Sequence, residues 1–576
     1  MERHDSGVEH KDAALRNHYK DWPNAAGFNA TEIAGDRRHP IRLGLKGFIP
    51  AYAAGALFRT GPGAWKISRA GGVNNEFKIS HWQFELSAGQ DGVCDKIWYS
   101  SRCQVDELLE QARNDGRLDI LSFGQKRDPC DTFYKKLKSA FVPATPQPHA
   151  AVAIRPTLPS EETKLRADSN HGRRLLTLTT DNATTKQFDF DTLEPIGIAQ
   201  QDNLHPSLVG PMSAAHASHD PVTGETFNYN LAFGRIPAYR YGSEGTLIRT
   251  SVFRTKSDGT TDILAEISGN SVKPAYLHSL ALTPNFVILC VWPAFFKSKG
   301  IDILWHRNLF DAMEFDPRAK TKWYVVDRHH NRGVVKTFES PSFFCFHTTN
   351  AWEEKIGDSG SVDLTCEAHA DLSSRLIEFA NMDILHRFYY TSLVSDQPHI
   401  EATHKQHPNT QCSLVRYRLE DVPLQKATKR SKACGLAKKT MAISAGDLPQ
   451  FNQKFVFEPH RFVYSVLDRG KSSFQDGLAK TDTATGKMLV WETLRHTPGE
   501  PIFIPKPGSK DEEDGVIFSV VLDGDSGESY LLCLDACSFA EIGRAEIGMP
   551  VGFGFHGAHF PKIGSEVRPS SMSNVK

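Results

Sequence analysis

From Arg173 onward, apolar and polar positions alternate in short runs: RRLLTLTTD, KQFDF, TFNYNLAF, TLIRTSVFRT, VILCVW, KWYVVD, FVYSVLD and KMLVWET. Alternation over a few residues, bounded by Asp, Asn, Gly and Pro, predicts strands. Helical spacing is rare in this part of the chain. One turn pattern, Asp-x-x-Thr/Ser, recurs between the runs at Asp189–Thr192, Asp220–Thr223, Asp482–Thr485 and Asp535–Ser538. Asp at the start of a turn accepts backbone N–H groups, and the polar or glycine residue that follows lets the chain reverse. Hairpins repeated over about 400 residues predict an all-β meander of many blades, a propeller rather than a sandwich. The same alternation organises the stretch from Glu500 to Phe560. Its last run, MPVGFGFHGAHF, ends on His556 between Gly554 and Gly557, where a side chain can meet a metal with little obstruction; taken alone, His556 reads sooner as a satisfied core histidine at a turn.

The N-terminal part reads differently. Residues 1–20 are polar and predict a flexible arm, residues 21–565 a single domain, and residues 566–576 a polar tail. Residues 105–118, VDELLEQARNDGRL, predict a helix. In 121–143, Phe133, Tyr134, Leu137 and Phe141 share one helical face, flanked by Lys135, Lys136 and Lys138. Such a segment suits a membrane interface, and equally a surface helix packed on the body. Gly55, Gly61 and Gly63 follow an apolar run, but no Gly-Lys-Ser/Thr comes after them. The reading is a tight turn beside a strand rather than a phosphate loop.

Composition narrows the functional classes. The 576 residues are 40% hydrophobic with a formal net charge of −1, so no charge excess points to nucleic acid. The N-terminus is charged, unlike a secretory leader. The longest apolar run, FVILCVWPAFF, is too short to span a bilayer. Ten cysteines without a CxxC pair fit reduced thiols and a cytoplasmic setting better than a disulfide framework. The acidic KDEEDG before Val516 lacks the alternating ligands of a calcium loop.

Most of the 24 histidines must be unremarkable. Four lie in apolar or strand context: His216 in SAAHASHDPVTGE, His278 in AYLHSLALTPNFVIL, His347 in SFFCFHTTNAWEE, and His556. They lie 62, 69 and 209 residues apart in turn. A four-stranded blade takes roughly 40–70 residues, so the separations fit one, one and three blades. Inner strands converge on the axis of a propeller, where four imidazoles could share one ion. Imidazole suits Zn, Cu, Fe and Ni, and four ligands leave two octahedral positions open. His219 and His559, three residues beyond two of the candidates, are expected to stay outside, and His329-His330 to be solvated.

At these residues the chain resembles the carotenoid cleavage oxygenase family. The resemblance runs from about Pro23 to about Pro561. It rests on LFRTGPG, HASHDPVTGE, LHSLALTPNFVI, FHTTNAWEE, EPIFIPKPG with EEDGVIFSVVLD, and GFHG, in that order. It implies a seven-bladed β-propeller with a helical dome, about residues 105–150, over an axial non-haem Fe(II). The implied ligands are His216, His278, His347 and His556. The implied reaction is O2-dependent cleavage of one conjugated double bond of a lipophilic polyene to two carbonyls. Acidic partners that hydrogen-bond the ligand histidines match Asp181, Asp447 and Glu500. Family members often carry Glu at all three, and the shorter Asp needs a closer backbone or a bridging water. Where many members have a His-Trp-Phe-Asp-Gly-like turn, this chain has HWQFELSAGQDG. The basic segment matches the family's membrane-facing patch, which favours Phe133, Leu137 and Phe141 as membrane contacts and peripheral attachment. AYLHSLALTPNFVILCVW resembles the fungal members acting on β-carotene or torulene. A stilbenoid cleaver, with Thr179 at the place to look for its phenol-binding lysine, is an alternative. So are an isomerohydrolase and a non-enzymatic lipid-binding propeller.

Overall fold

The computed structural model describes residues 22–567, apart from 105–151, 158–173, 234–247, 372–411, 426–432 and shorter runs elsewhere. The N-terminal arm, the dome segment with Phe133, Leu137 and Phe141, and all but two residues of the tail lie outside the described residues. Among the described residues, seven sheets of four or more strands form the seven blades of a β-propeller.

Blade 2 is the simplest. Ala153–Pro156, Leu175–Thr179, Thr184–Asp189 and Pro195–Gln200 pair antiparallel in chain order. Blade 3 starts with two short strands, Met212–Ser213 and Ser218–His219, both lying on Thr226–Ala232. Blade 4 runs outward from Ala281–Leu282, blade 5 from Phe344–Lys355 and blade 6 from Asp447–Gln450. Blade 7 again begins with two pieces, His496–Pro498 and Ile502–Pro505, on Gly515–Asp523. Blade 1 joins the ends of the chain. Gly55–Ala64 pairs with the C-terminal His556–Ile563, with Thr60 opposite His556 and Gly55 opposite Pro561.

The blades stack face to face, which explains why some strands read as unbroken apolar runs rather than alternating ones. In Gly515–Asp523 all residues but the last are buried. Val516, Phe518 and Val520 pack with Leu57 and Phe84 on the blade 1 side. Ile517 and Val521 face the other way, against Tyr464 and Leu478 of blade 6. Side chains alternate as in any strand, but both faces meet a neighbouring blade.

The recurrent Asp turns close blade hairpins, and the structure adds a fifth position that the sequence pattern lacks. Residues Leu193, Gly224, Gly486 and Phe539, each following its Thr or Ser, have positive φ between 59° and 72°. Their N–H groups donate to the carbonyl of the starting Asp at 2.8–3.0 Å. A further copy, Asp523 to Gly527, has the same bond. Glycine takes this conformation freely, whereas Leu193 and Phe539 pay about 1–2 kcal/mol for it. Both are core residues, and burial of a large apolar side chain, roughly 1.5–3 kcal/mol, offsets that cost.

Gly55, Gly61 and Gly63 do not form the expected turn. They lie inside the ten-residue strand Gly55–Ala64. A Cβ on Gly55 would sit 2.2 Å from the Phe560 carbonyl oxygen, and one on Gly61 2.7 Å from Gly554 Cα. These glycines let the closing strand approach, which also sets where His556 begins.

Candidate metal centre

His216, His278, His347 and His556 converge, with one ring nitrogen from each lying within 4.8 Å of the others. They come from blades 3, 4, 5 and 1, in the one, one and three steps that their spacing predicts. Asp181, Asp447 and Glu500 come from blades 2, 6 and 7, so every blade supplies at least one group to the axis. Local irregularity places most of them. His216 and Glu500 occupy the gaps between the paired short strands that open blades 3 and 7. His347 sits at a bulge. Asp447 and Gln450, three apart, would face opposite ways in a regular strand. A register shift and a positive φ at Leu448 bring both to the axis.

Three of the imidazoles are tied from behind. His278 Nδ1 lies 2.6 Å from Asp181 Oδ1, His347 Nδ1 2.8 Å from Asp447 Oδ1, and His556 Nδ1 2.8 Å from Glu500 Oε1. A carboxylate only accepts, so each Nδ1 carries the proton and each Nε2 presents a lone pair. The two aspartates reach directly, without the bridging water that their length suggests. The Tyr276 hydroxyl lies 2.8 Å from His278 Nδ1 in the same network.

Glu500 is the most enclosed of the three. Its Oε1 also accepts from Gln450 Nε2 at 3.0 Å, and its Oε2 accepts from Arg59 Nη1 at 2.9 Å and the Gly557 N–H at 2.8 Å. Burial pushes its carboxyl up, but His556, Arg59 and Gln450 together outweigh this and leave it below the usual range. The Asp447 side chain is 41% exposed, against 1% for Glu500. Arg59, Gln450 and Tyr276 were not visible as site residues in the sequence, although Arg59 lies in the LFRTGPG block.

The donor set fits a cation. His347 Nε2 and His556 Nε2 are 3.2 Å apart, yet both present lone pairs, and His216 Nε2 is buried without a hydrogen-bond partner. Burial and three neighbouring imidazoles hold the basicity of His216 well below the usual value. A metal ion would resolve both features. His219 and His559 stay outside: His219 Nδ1 is near Thr226 Oγ1, and His559 Nε2 meets the Ala53 carbonyl. His329 and His330 are exposed.

A family model described as retinal pigment epithelial membrane protein matches residues 31–561. The chain belongs to this family, that of the carotenoid oxygenases. It is 39% identical to a carotenoid dioxygenase of Neurospora crassa, over 97% of this chain and 94% of the relative. It is 37% identical to a torulene dioxygenase of Gibberella fujikuroi, over 95% of each. The fold also matches a cobalt-substituted Synechocystis oxygenase, with a TM-score of 0.67 and 17% identity, over 94% of this chain and 99% of that one. Within this family, Glu500→Gln should leave the fold intact and cut metal affinity or turnover by roughly 10–100-fold. Asp447→Asn should cost less, because water reaches the more exposed carboxylate. Metal titration of both variants checks the ranking.

Proposed function

We propose that this chain cleaves one conjugated double bond of a carotenoid or apocarotenoid, β-carotene- or torulene-like, with O2 to give two carbonyl products. Fe(II) would be held by His216, His278, His347 and His556. The convergence of four imidazoles, three of them braced by carboxylates, carries the reading. The high identity to fungal carotenoid and torulene dioxygenases supports the substrate class. Bound Fe(II) would supply the binding and activation of O2. Asp181, Asp447 and Glu500 hold the tautomer and orientation of the imidazoles. The half-buried Phe346 ring lies 5.3 Å from the His278 ring, with Phe344 packed behind it, so an apolar wall adjoins the centre. A polyene offers few polar groups and is positioned by shape against such a wall.

The stilbenoid alternative finds no support at Thr179. Its hydroxyl is buried and donates to the Ala215 carbonyl at 2.6 Å, next to His216, rather than standing free for a phenol. An intact set of four donors also argues against a non-enzymatic propeller. Anaerobically iron-loaded protein, given β-carotene, torulene, apocarotenals and resveratrol under 18O2, should yield labelled aldehydes from a polyene. Cleavage of resveratrol alone would overturn the reading.

A substrate dissolved in lipid also motivates peripheral membrane attachment of a cytoplasmic protein. No helix among the described residues is long and apolar enough to cross a membrane. Changing Phe133, Leu137 and Phe141 together to Ser should release the protein from anionic liposomes and spare activity on detergent-dispersed substrate. Each buried side chain is worth roughly 1.5–3 kcal/mol, and each nearby lysine about 1 kcal/mol. Unchanged flotation with a lowered melting temperature would instead make the segment an ordinary packed helix.

A further inference from the structure

Behind His556, the far side of Glu500 carries a guanidinium. Arg59, 2% exposed, stands in the closing strand Gly55–Ala64 and reaches across the seam to Glu500 Oε2 at 2.9 Å. Its Nη2 also donates to the Gly554 carbonyl at 3.2 Å, two residues before His556. With four donors on it, Glu500 has no free lone-pair direction aimed at solvent. Tyr276 donates its hydroxyl group to the network at the His278–Asp181 pair, and Asp447 accepts from the Leu448 N–H.

A carboxylate behind an imidazole makes that ligand more basic and favours a higher charge on the ion it binds. In a buried site this effect is weakly screened. A guanidinium on the far oxygen draws the same charge back. Losing the guanidinium would therefore favour a trivalent ion, and losing the carboxylate a divalent one.

We propose that Arg59 is a positioning residue that sets the charge balance of the metal centre: by neutralising Glu500 at the ring seam it biases the bound iron towards its divalent state. This rests on the Fe(II) reading above. Arg59 acts through Glu500 and His556.

The experiment uses the full chain as wild type and as Arg59→Lys, Arg59→Gln and Glu500→Gln. Each is loaded with excess iron under anaerobic conditions, assayed for iron content, and titrated redox-wise by the paramagnetic resonance of high-spin ferric ion. Arg59→Lys keeps the charge and should hold the ferrous-to-ferric ratio at a fixed potential within about threefold of wild type. Arg59→Gln should move that ratio towards ferric by about tenfold, which is 59 mV for one electron. Glu500→Gln leaves Arg59 uncompensated and should move it towards ferrous. This opposite sign tests the proposal even where an Arg59 variant fails to fold. A merely structural clamp predicts shifts in one direction for Arg59→Gln and Glu500→Gln alike. That result, or no shift in either, overturns the proposal. Wild-type protein that takes up no iron overturns the Fe(II) reading and this proposal with it. Iron-loaded wild type with indistinguishable variants overturns the role of Arg59 alone.

Discussion

Replacing any one of His216, His278, His347 or His556 with Ala should abolish turnover and sharply lower iron content, whereas His219→Ala and His559→Ala should retain both. The four rings supply the donors that converge among the described residues, and each comes from a different blade. Among the described residues no further His, Cys, Asp or Glu joins this cluster. The loss should therefore exceed the roughly 10–100-fold expected for an outer carboxylate. His219 and His559 make the sharper controls because each stands three residues from a proposed ligand. His559 is buried, so its replacement should cost stability through the lost contact with the Ala53 carbonyl while leaving iron in place. Metal analysis with turnover separates the two kinds of loss. Full iron occupancy in His556→Ala would remove that residue from the ligand set.

The four histidines were legible in the sequence because two periodicities agree on them. Each sits in an apolar strand context, and their separations fit whole blades. The carboxylates were legible only through family resemblance. Asp181 lies in the turn between the second and third strands of blade 2, where an aspartate is ordinary. What the sequence hid has physical causes. Gln450 reaches the axis because a bulge and the positive φ at Leu448 break the alternation that a reader would apply. Arg59 meets Glu500 across 441 residues, a pairing that only ring closure creates. Gly55 and Gly61 read as turn residues because glycine usually marks turns, yet here they clear space for the backbone of the closing strand. Leu193 and Phe539 escaped the turn pattern because buried side chains stand where glycine is the expected choice.

Removing the metal should lower the thermal midpoint of the whole protein and loosen the seam between its two ends. Each blade gives at least one group to the centre, so an ion at the axis joins all seven. His556 opens the C-terminal strand that pairs with Gly55–Ala64, and Glu500 of blade 7 is clasped by Arg59 of that same strand. Without a cation, lone pairs such as those of His347 and His556 at 3.2 Å oppose one another, and the cheapest relief is at the seam, where no covalent connection holds the strands. A ligand that binds only the folded ring stabilises it by about 4 kcal/mol at a thousandfold excess over its Kd. The midpoint should therefore climb with the logarithm of metal concentration. Zn(II) can replace Fe(II) in this measurement, which keeps redox chemistry out of it. His556→Ala should melt at one temperature whatever the metal concentration, and His559→Ala should follow the wild-type slope from a lower start. Limited proteolysis should cut near the C-terminal strand faster in metal-free protein than in loaded protein. Equal midpoints for metal-free and metal-saturated wild type would show that the four-histidine cluster does not bind the ion in the folded ring.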